Sequence, residues 1–348
     1  MRRFRCRPRS DGATLVAAAL AAGLAAAPGE GAAQAKPGDP AAPKLVAELQ
    51  AASGECCLML LFPIGARRAA LSEAVTSVES PDAVFYNPAG LAEVTDEHFV
   101  LHHLANQTVQ VDAFTLLFSP GNIATFGLSY GLIDHGDQDV TGDQSDLPIG
   151  RITMRDHLLI ASFSASVAAG VSAGLNYKYY RWRIDCSGQC QEAELDAATH
   201  GLDFGVHYRP LWLGQARIGA SLLNVGFPLQ VVNSEQADRM PTRLRVGVSY
   251  DVMRHLDPAG PYRLWLLVDA EEDDWKQPTS PTPSMGLELS AGDMIFLRGG
   301  YGAGEGITSG FAVGVGVVYS RFDVAVAKRV SGAGFGDDPF QLTVDVGF

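Results

Sequence analysis

The last nine residues of the chain alternate between apolar side chains and small or polar ones. The apolar positions are Phe340, Leu342, Val344, Val346 and Phe348. Because successive side chains of a β-strand point to opposite faces, this spacing predicts a strand with one apolar face. The same alternation recurs at residues 172–179, 202–209, 243–250 and 311–319. We therefore expect an all-β protein.

Soluble β-sandwiches and membrane β-barrels both show this alternation, and the aromatic residues favour the barrel. A barrel in lipid carries girdles of aromatic side chains at its two interfaces. Aromatic residues of this chain cluster at the ends of the predicted strands, at Tyr130, Tyr179, Tyr180, Trp182, Tyr208, Trp212, Tyr250 and Tyr262.

The connections between the predicted strands alternate in length. Tight turns are predicted at 119–121, 168–170, 291–293 and 319–320, and long loops at 133–152, 184–196, 225–240 and 272–283. This rhythm is typical of outer-membrane barrels, which have an even number of antiparallel strands and both termini in the periplasm. About fourteen strands are predicted, at 98–104, 108–118, 122–132, 153–167, 171–183, 197–209, 215–224, 241–253, 262–271, 284–290, 294–301, 308–318, 321–329 and 339–348.

A barrel of this size has a lumen that needs a plug. Lipid offers no partner for backbone N–H and C=O groups, so the sheet must close on itself, with bulky residues facing lipid and polar residues facing the lumen. About fourteen strands enclose a lumen too wide for their own side chains to fill. Residues 65–91 are rich in Ala, Ser and Val and lack the alternation, and we expect them to form the plug.

The plug region contains two helix-start signals. Ser80 stands before Pro81, and Asn87 stands before Pro88. In each case the polar side chain can cap free amide groups, while proline takes the first helical position at no cost in hydrogen bonds. We expect Asn87, Pro88 and Gly90 to form the corner where the plug meets the first strand, with a structural or a gating role.

The N-terminus has the layout of a secretory signal peptide. Five arginines precede the apolar stretch at 13–27, and Ala33-Gln34-Ala35 offers a small-residue cleavage site. A buried N-terminal helix is the alternative for this stretch. The predicted divisions are a signal peptide at 1–35, a flexible lead-in at 36–54, a hatch at 55–93 and the barrel at 94–348.

Charge and hydropathy exclude two classes of protein. Without residues 1–35 the chain keeps 21 basic and 37 acidic residues, a net charge of −16. Such an acidic protein lacks the basic patch that nucleic-acid binding requires. No later apolar stretch reaches the ~18 residues that a transmembrane helix needs.

Four cysteines remain in the exported chain. Cys186 and Cys190 enclose a short polar loop, and an oxidising compartment favours a local disulfide between them. A zinc site is disfavoured because no second ligand pair has matching spacing. The pairing of Cys56 and Cys57 is left open by the sequence.

The sequence offers little catalytic or metal chemistry. Asp137, Asp139 and Asp143 resemble half of a calcium loop, but Pro148 replaces the bidentate glutamate, so a solvated acidic loop is preferred. His102 and His103 point to opposite faces of one strand and cannot share a metal. No nucleophile elbow, phosphate loop or zincin motif occurs. We expect no enzyme, no cofactor and no metal.

Several charged residues fall on the predicted lumen faces. These candidate lumen charges are Lys178, Arg243, Arg245, Asp269, Glu288, Arg298 and Asp323. One interpretation is that they pair with one another and with the hatch. The sharper hypothesis is that Arg243 or Arg298 receives a carboxylate head group, because a guanidinium binds a carboxylate through two hydrogen bonds.

Two runs at the start of the exported chain carry a family resemblance. Residues 63–67 have the sequence PIGAR, and residues 80–91 have the sequence SPDAVFYNPAGL. Together with LNVG at 223–226, MPTRLRVG at 240–247, GLE at 286–288 and LRGGY at 297–301, they resemble the PorV/PorQ family of outer-membrane barrels, which is related to the FadL long-chain fatty-acid transporters. The matching hatch motif comprises Gly65, Ala66, Arg67, Asn87, Pro88, Ala89, Gly90 and Leu91.

The resemblance implies a fourteen-strand outer-membrane barrel with an N-terminal hatch, in a Gram-negative-type bacterium. In FadL-like members hydrophobic ligands cross by way of the hatch and lateral openings. PorV-like members instead carry exported proteins in type IX secretion. The family has Met-Gly-Gly after Gly-Ala-Arg, whereas residues 68–72 here are RAALS, which leaves the path of the hatch open.

Two functions follow from these expectations. The first is passage of a hydrophobic, fatty-acid-like molecule across the outer membrane, with outer-membrane lipid as the surroundings. The alternative is a secretion-system or structural barrel whose partners are secretion components or cargo proteins.

Overall fold

The computed structural model describes residues 54–105, 109–120, 123–142, 145–190, 195–231, 237–273, 281–303, 309–330 and 340–348. The predicted signal peptide and almost all of the predicted lead-in lie outside these residues. None of the described helices is long or apolar enough to span a membrane.

The described chain forms a closed barrel of fourteen antiparallel strands, which confirms the predicted fold class. Each strand pairs with its sequence neighbours, and β1 closes the barrel on β14, with His98 opposite Gly347 and Ala105 opposite Phe340. The strands are β1 (His98–Ala105), β2 (Gln110–Phe118), β3 (Ala124–Gly142), β4 (Ser145–Ala168), β5 (Val171–Gly188), β6 (Leu195–Tyr208), β7 (Ala216–Gly226), β8 (Arg243–Asp251), β9 (Tyr262–Glu272), β10 (Thr282–Ala291), β11 (Ile295–Gly302), β12 (Gly310–Tyr319), β13 (Phe322–Arg329) and β14 (Phe340–Gly347).

The alternation sorts side chains between lipid and lumen as predicted. In β6, Asp203 and His207 are buried inside the barrel, whereas Phe204 and Val206 are exposed on its outer surface. Large apolar side chains on the outside, such as Leu266 of β9, form the belt that lipid would cover.

The prediction of an acidic loop at 133–152 is wrong, because most of these residues belong to two strands. Strand β3 continues to Gly142 and β4 begins at Ser145, with a register shift between Asp134 and Asp137. Strand β5 likewise continues to Gly188, into the loop predicted at 184–196. These extensions pair polar strands outside the apolar belt, where the apolar–polar alternation is not required.

The two ends of the barrel differ in their connections. The β12–β13 and β4–β5 connections are turns of two residues, and the end that carries them is called the turn end. The opposite end, which carries the β1–β2, β7–β8 and β13–β14 connections, is called the loop end. At the turn end, a short helix α2 (Val252–Leu256) occupies the β8–β9 connection.

The hatch lies inside the barrel and contacts opposite walls. It contains three 3₁₀ helices and one α-helix: η1 (Leu58–Leu61), α1 (Ala66–Ala70), η2 (Pro81–Phe85) and η3 (Pro88–Glu93). Helix η3 contacts β4, β5 and β6, whereas α1 contacts β12, β13 and β14.

One of the two predicted helix caps is wrong. Asn87 accepts a hydrogen bond from the main-chain N–H of Ala89 at 3.2 Å and caps η3. Ser80 makes no capping hydrogen bond. Its hydroxyl lies 2.9 Å from the hydroxyl of Tyr86 instead, because the buried phenol needs a polar partner.

Candidate functional site

The hatch packs against an apolar surface at the loop end of the barrel. Hatch residues Met59, Ile64 and Phe85 belong to one continuous buried apolar cluster that also includes residues of the surrounding strands. We give the name apolar wall to seven strand residues of this cluster: Leu104, Val111, Ile133, Leu158, Ile160, Tyr180 and Ala197. All of these residues lie on β1–β6.

The apolar wall was not predicted, because membrane barrels ordinarily have polar lumens. A signal for it existed in residues 98–104, whose sequence HFVLHHL has apolar residues on both faces. Leu104 and Val100 are buried inside the barrel, on the same face of β1 as the buried His102. Apolar residues on both faces of a barrel strand therefore marked this surface.

Strands β8–β11 present charged groups to the hatch. Glu288 of β10 accepts hydrogen bonds from Arg67 of α1 at 2.7 and 2.9 Å, and from Arg298 of β11 at 2.6 Å. Arg245 of β8 donates to Glu73 Oε2 at 3.0 Å, and Arg68 donates to the same oxygen at 2.7 Å. Buried ion pairs of this kind are costly to break, because the remaining partner is left as an uncompensated charge.

Two further candidate lumen charges bind partners within the lumen. Asp269 Oδ2 accepts the main-chain N–H groups of Val75 and Thr76 at 3.0 and 2.7 Å. Lys178 forms an ion pair of 2.9 Å with Asp203 of the adjacent strand. Asp269 and Lys178 are therefore both paired inside the barrel.

Arg243 and Arg298 are not free to receive a ligand carboxylate in this structure. Arg243 donates two hydrogen bonds to Glu55, at 3.1 and 3.0 Å, and Arg298 donates to Glu288. A ligand carboxylate would therefore have to displace Glu55 from Arg243 or Glu288 from Arg298. Glu55 could not be identified from the sequence, because it lies 188 residues away from Arg243.

Asp323 differs from the other candidate lumen charges. Its Oδ1 atom is buried and accepts no hydrogen bond. It lines a cavity of about 650 Å³ at the turn end, together with Asp96, His98, Asp345 and the C-terminal Phe348. Arg67 and Arg298 both act electrostatically on the Asp323 carboxylate.

The pKa values of two carboxyl groups in the hatch are shifted. Burial by itself would raise the pKa of Glu73, but Arg68 and Arg245 outweigh it and hold that pKa below the ordinary value. Burial raises the pKa of Asp82, only partly opposed by His102. The hatch therefore contains one firmly ionised carboxylate and one whose ionised form is disfavoured.

Asn87 and Gly90 of the hatch motif make close contacts inside the barrel. Asn87 donates to the main-chain carbonyl of Thr76 at 2.7 Å, which ties the corner to the preceding turn. At Gly90 an added Cβ would lie 2.7 Å from the Val78 carbonyl and 3.2 Å from the His207 ring. Gly90 thus permits close packing within the hatch as well as against the wall.

The remaining motif residues bind other strands. Gly65 begins α1 with a positive φ of 108°, and the main-chain N–H of Ala66 donates to Thr343 Oγ1 at 2.9 Å. The carbonyl of Ala89 accepts from Ser164 Oγ at 3.3 Å. Pro88 and Leu91 are buried in η3.

Both cysteine pairs are joined in the structure. Cys186 and Cys190 are bonded at the loop end of β5, with Cα atoms 6.3 Å apart. Cys56 and Cys57 are bonded to each other next to η1, inside the apolar cluster. The sequence alone had left the second pairing open.

The described residues contain no group of three or more His, Cys, Asp or Glu side chains arranged to hold a metal ion. His102 is buried and His103 is partly exposed, on opposite faces of β1 as expected. Asp137 on the β3–β4 hairpin contacts Thr153 at 2.8 Å and Arg151 at 3.3 Å.

Solved structures similar to this chain include transporters and channels for hydrocarbons. The Ralstonia pickettii toluene transporter TbuX matches with a TM-score of 0.53 at 12% identity, covering 81% of this chain and 97% of that one. The Pseudomonas putida toluene transporter TodX matches with a TM-score of 0.53 at 11% identity, covering 81% and 96%. The monoaromatic hydrocarbon channel CymD matches at 0.51 and 11%, covering 82% and 96%.

No protein-family model matches the sequence, and no curated protein has a significant sequence match. The narrower resemblance to PorV/PorQ barrels therefore stays an interpretation of the sequence. At 11–12% identity the structural matches establish the fold. The chain has the same barrel fold as these solved structures.

Proposed function

We propose that this protein admits a small hydrophobic molecule across the outer membrane. The observation that carries the proposal is the apolar wall, which faces the hatch on the loop-end side of the lumen. An aqueous pore would have polar groups at these positions. The solved channels of the same fold carry toluene and other monoaromatic hydrocarbons, and they support the same class of substrate here.

The proposed site combines apolar area with few polar groups. Leu158 and Ile160 are almost completely buried between strand and hatch. Each such side chain withdrawn from water contributes about 1.5–3 kcal/mol, so a hydrocarbon that replaced hatch contacts would be bound mainly by apolar burial. Asp156 accepts hydrogen bonds from Tyr180 at 2.8 Å and also contacts His135 at 2.8 Å, so this buried charge is already paired.

Uptake of labelled toluene by cells without other hydrocarbon channels tests the proposal. Leu158→Asn places a polar amide in the apolar wall, and we expect the initial rate to fall about tenfold, because an unpaired polar group costs about 1–3 kcal/mol. Ser162→Asn is the matched control, because Ser162 is also buried on the inner face of β4 but lies outside the apolar wall. It should retain the wild-type rate.

Wild-type uptake equal to that of cells without the protein would overturn the transport proposal. Carriage of exported proteins in type IX secretion would then be the competing function, and it rests on the sequence resemblance alone. Uptake of labelled toluene through the wild-type protein, lost only in Leu158→Asn, supports passage along the apolar wall.

A further inference from the structure

The two parts of the hatch are held to the barrel very differently. The part from Val75 to Leu91 receives side-chain hydrogen bonds on its main chain from several strands. Asn176 donates to the Val84 carbonyl at 2.8 Å, and Ser221 donates to the Tyr86 carbonyl at 2.9 Å. With Asp269 on Val75 and Thr76, this part is fixed by β5, β7 and β9 together.

Helix α1 makes few polar contacts with the barrel. The main-chain N–H of Ala66 donates to Thr343, and Arg67 binds Glu288. Against β13 the contact is between methyl groups, where Ala66, Ala69 and Ala70 pack against Ala325 and Ala327. Within the hatch, Arg68 donates to Glu73 at 2.7 Å and to the Phe85 carbonyl at 3.2 Å. Small side chains bury little area, so sliding this surface costs less than moving the hydrogen-bonded part.

The wall behind α1 leads to the cavity at the turn end. An added Cβ on Gly314 of β12 would lie 2.5 Å from the Ala70 methyl group, which shows how closely α1 covers the wall. Strand β13 runs from this contact to Asp323, which lines the cavity. Movement of α1 would therefore uncover a path lined by Gly and Ala residues between the lumen and the cavity.

Two carboxylates of the barrel wall interact electrostatically with Arg67. Arg67 is paired with Glu288, and Asp323 also acts on it. Glu288 is shared with Arg298 at 2.6 Å, so it would keep a partner if Arg67 left. Asp323 Oδ1 is buried without a hydrogen bond and would gain a partner if Arg67 arrived.

We propose that α1 is the moving part of the hatch and that the Arg67–Glu288 pair is its latch, with Asp323 as the partner of Arg67 in the open state. The inference rests on the proposed function, since it specifies how a hydrophobic molecule reaches the turn end. Exchange of Glu288 for Asp323 leaves all four charges paired in the open state, Arg67 with Asp323 and Arg298 with Glu288. Two discrete pairings give the two-state element that a gate requires.

The latch is tested by the reactivity of a cysteine placed at Ala70, which is fully buried under the closed helix. A maleimide reagent is applied to the folded, detergent-solubilised protein, and the protein without the added cysteine gives the background. Glu288→Gln weakens the latch and should raise the labelling rate about fivefold or more. Arg67→Gln removes the latch and should do the same, which keeps the test available if one variant folds poorly.

Asp323→Asn removes the partner of the open state, so labelling at position 70 and toluene uptake should both fall below wild type. Glu79→Gln is the matched control, because Glu79 lies in the other part of the hatch and pairs with Arg209 and Arg217 of the barrel. It should leave labelling unchanged. Equal labelling in all folded variants overturns the latch. If the latch variants change the labelling rate as expected but the wild-type protein carries no toluene, the proposed function is refuted and the latch is supported.

Discussion

Asp269 on strand β9 accepts the main-chain N–H of Thr76 at 2.7 Å, 193 residues away along the chain. The same oxygen accepts the N–H of Val75 at 3.0 Å. One carboxylate thus satisfies two consecutive backbone donors that are buried inside the barrel, and it joins the hatch directly to the wall.

Asp269→Ala should lower the free energy of unfolding by about 2–3 kcal/mol, because hydrogen bonds to a charged group are each worth about 1.5–3 kcal/mol. Urea unfolding of the refolded barrel, followed by tryptophan fluorescence, measures the change. Asp269→Asn retains an oxygen acceptor and should lose less. Equal losses in both variants would show that the two N–H contacts do not stabilise the hatch.

Gly219 of β7 marks a place where the hatch backbone touches the barrel wall. An added Cβ would overlap the main-chain carbonyl of Thr76. Gly219→Ala should therefore destabilise the protein by about 1–3 kcal/mol, as overpacking does. At Gly299 of β11 the nearest atom to an added Cβ is 3.9 Å away, so Gly299→Ala should be neutral. Similar unfolding midpoints for the two variants would contradict the close contact.

Glu73 should make the protein sensitive to acid. Arg68 and Arg245 hold its folded pKa below the ordinary value of 4.5, so its ionised form contributes stability above the unfolded pKa. That contribution is lost as the pH falls below 4.5 and through the lower folded pKa. Glu73→Gln should remove this part of the pH dependence, measured by unfolding between neutral and acidic pH. An unchanged acid profile in Glu73→Gln would refute this role.

The sequence predicted the barrel because local chemistry and lipid impose the same rule on every strand. Leu342 and Val344 alternate with polar residues, since lipid demands apolar groups on one face and closure of the sheet. The β3–β4 hairpin around Asp137 was not predicted, because strands outside the lipid do not need the apolar–polar alternation. Arg67 and Glu288 are 221 residues apart, and no local pattern pairs them. The apolar wall was missed because a polar lumen was assumed.

The most direct test of the account compares toluene with a polar sugar in vesicles that contain the purified protein. The hatch and the apolar wall should admit toluene and reject arabinose, so labelled toluene should enter faster than in empty vesicles while arabinose entry stays at background. Leu158→Asn should lose only the toluene flux. Entry of arabinose at a rate comparable to toluene would contradict the account, because it would require an aqueous pore past the hatch.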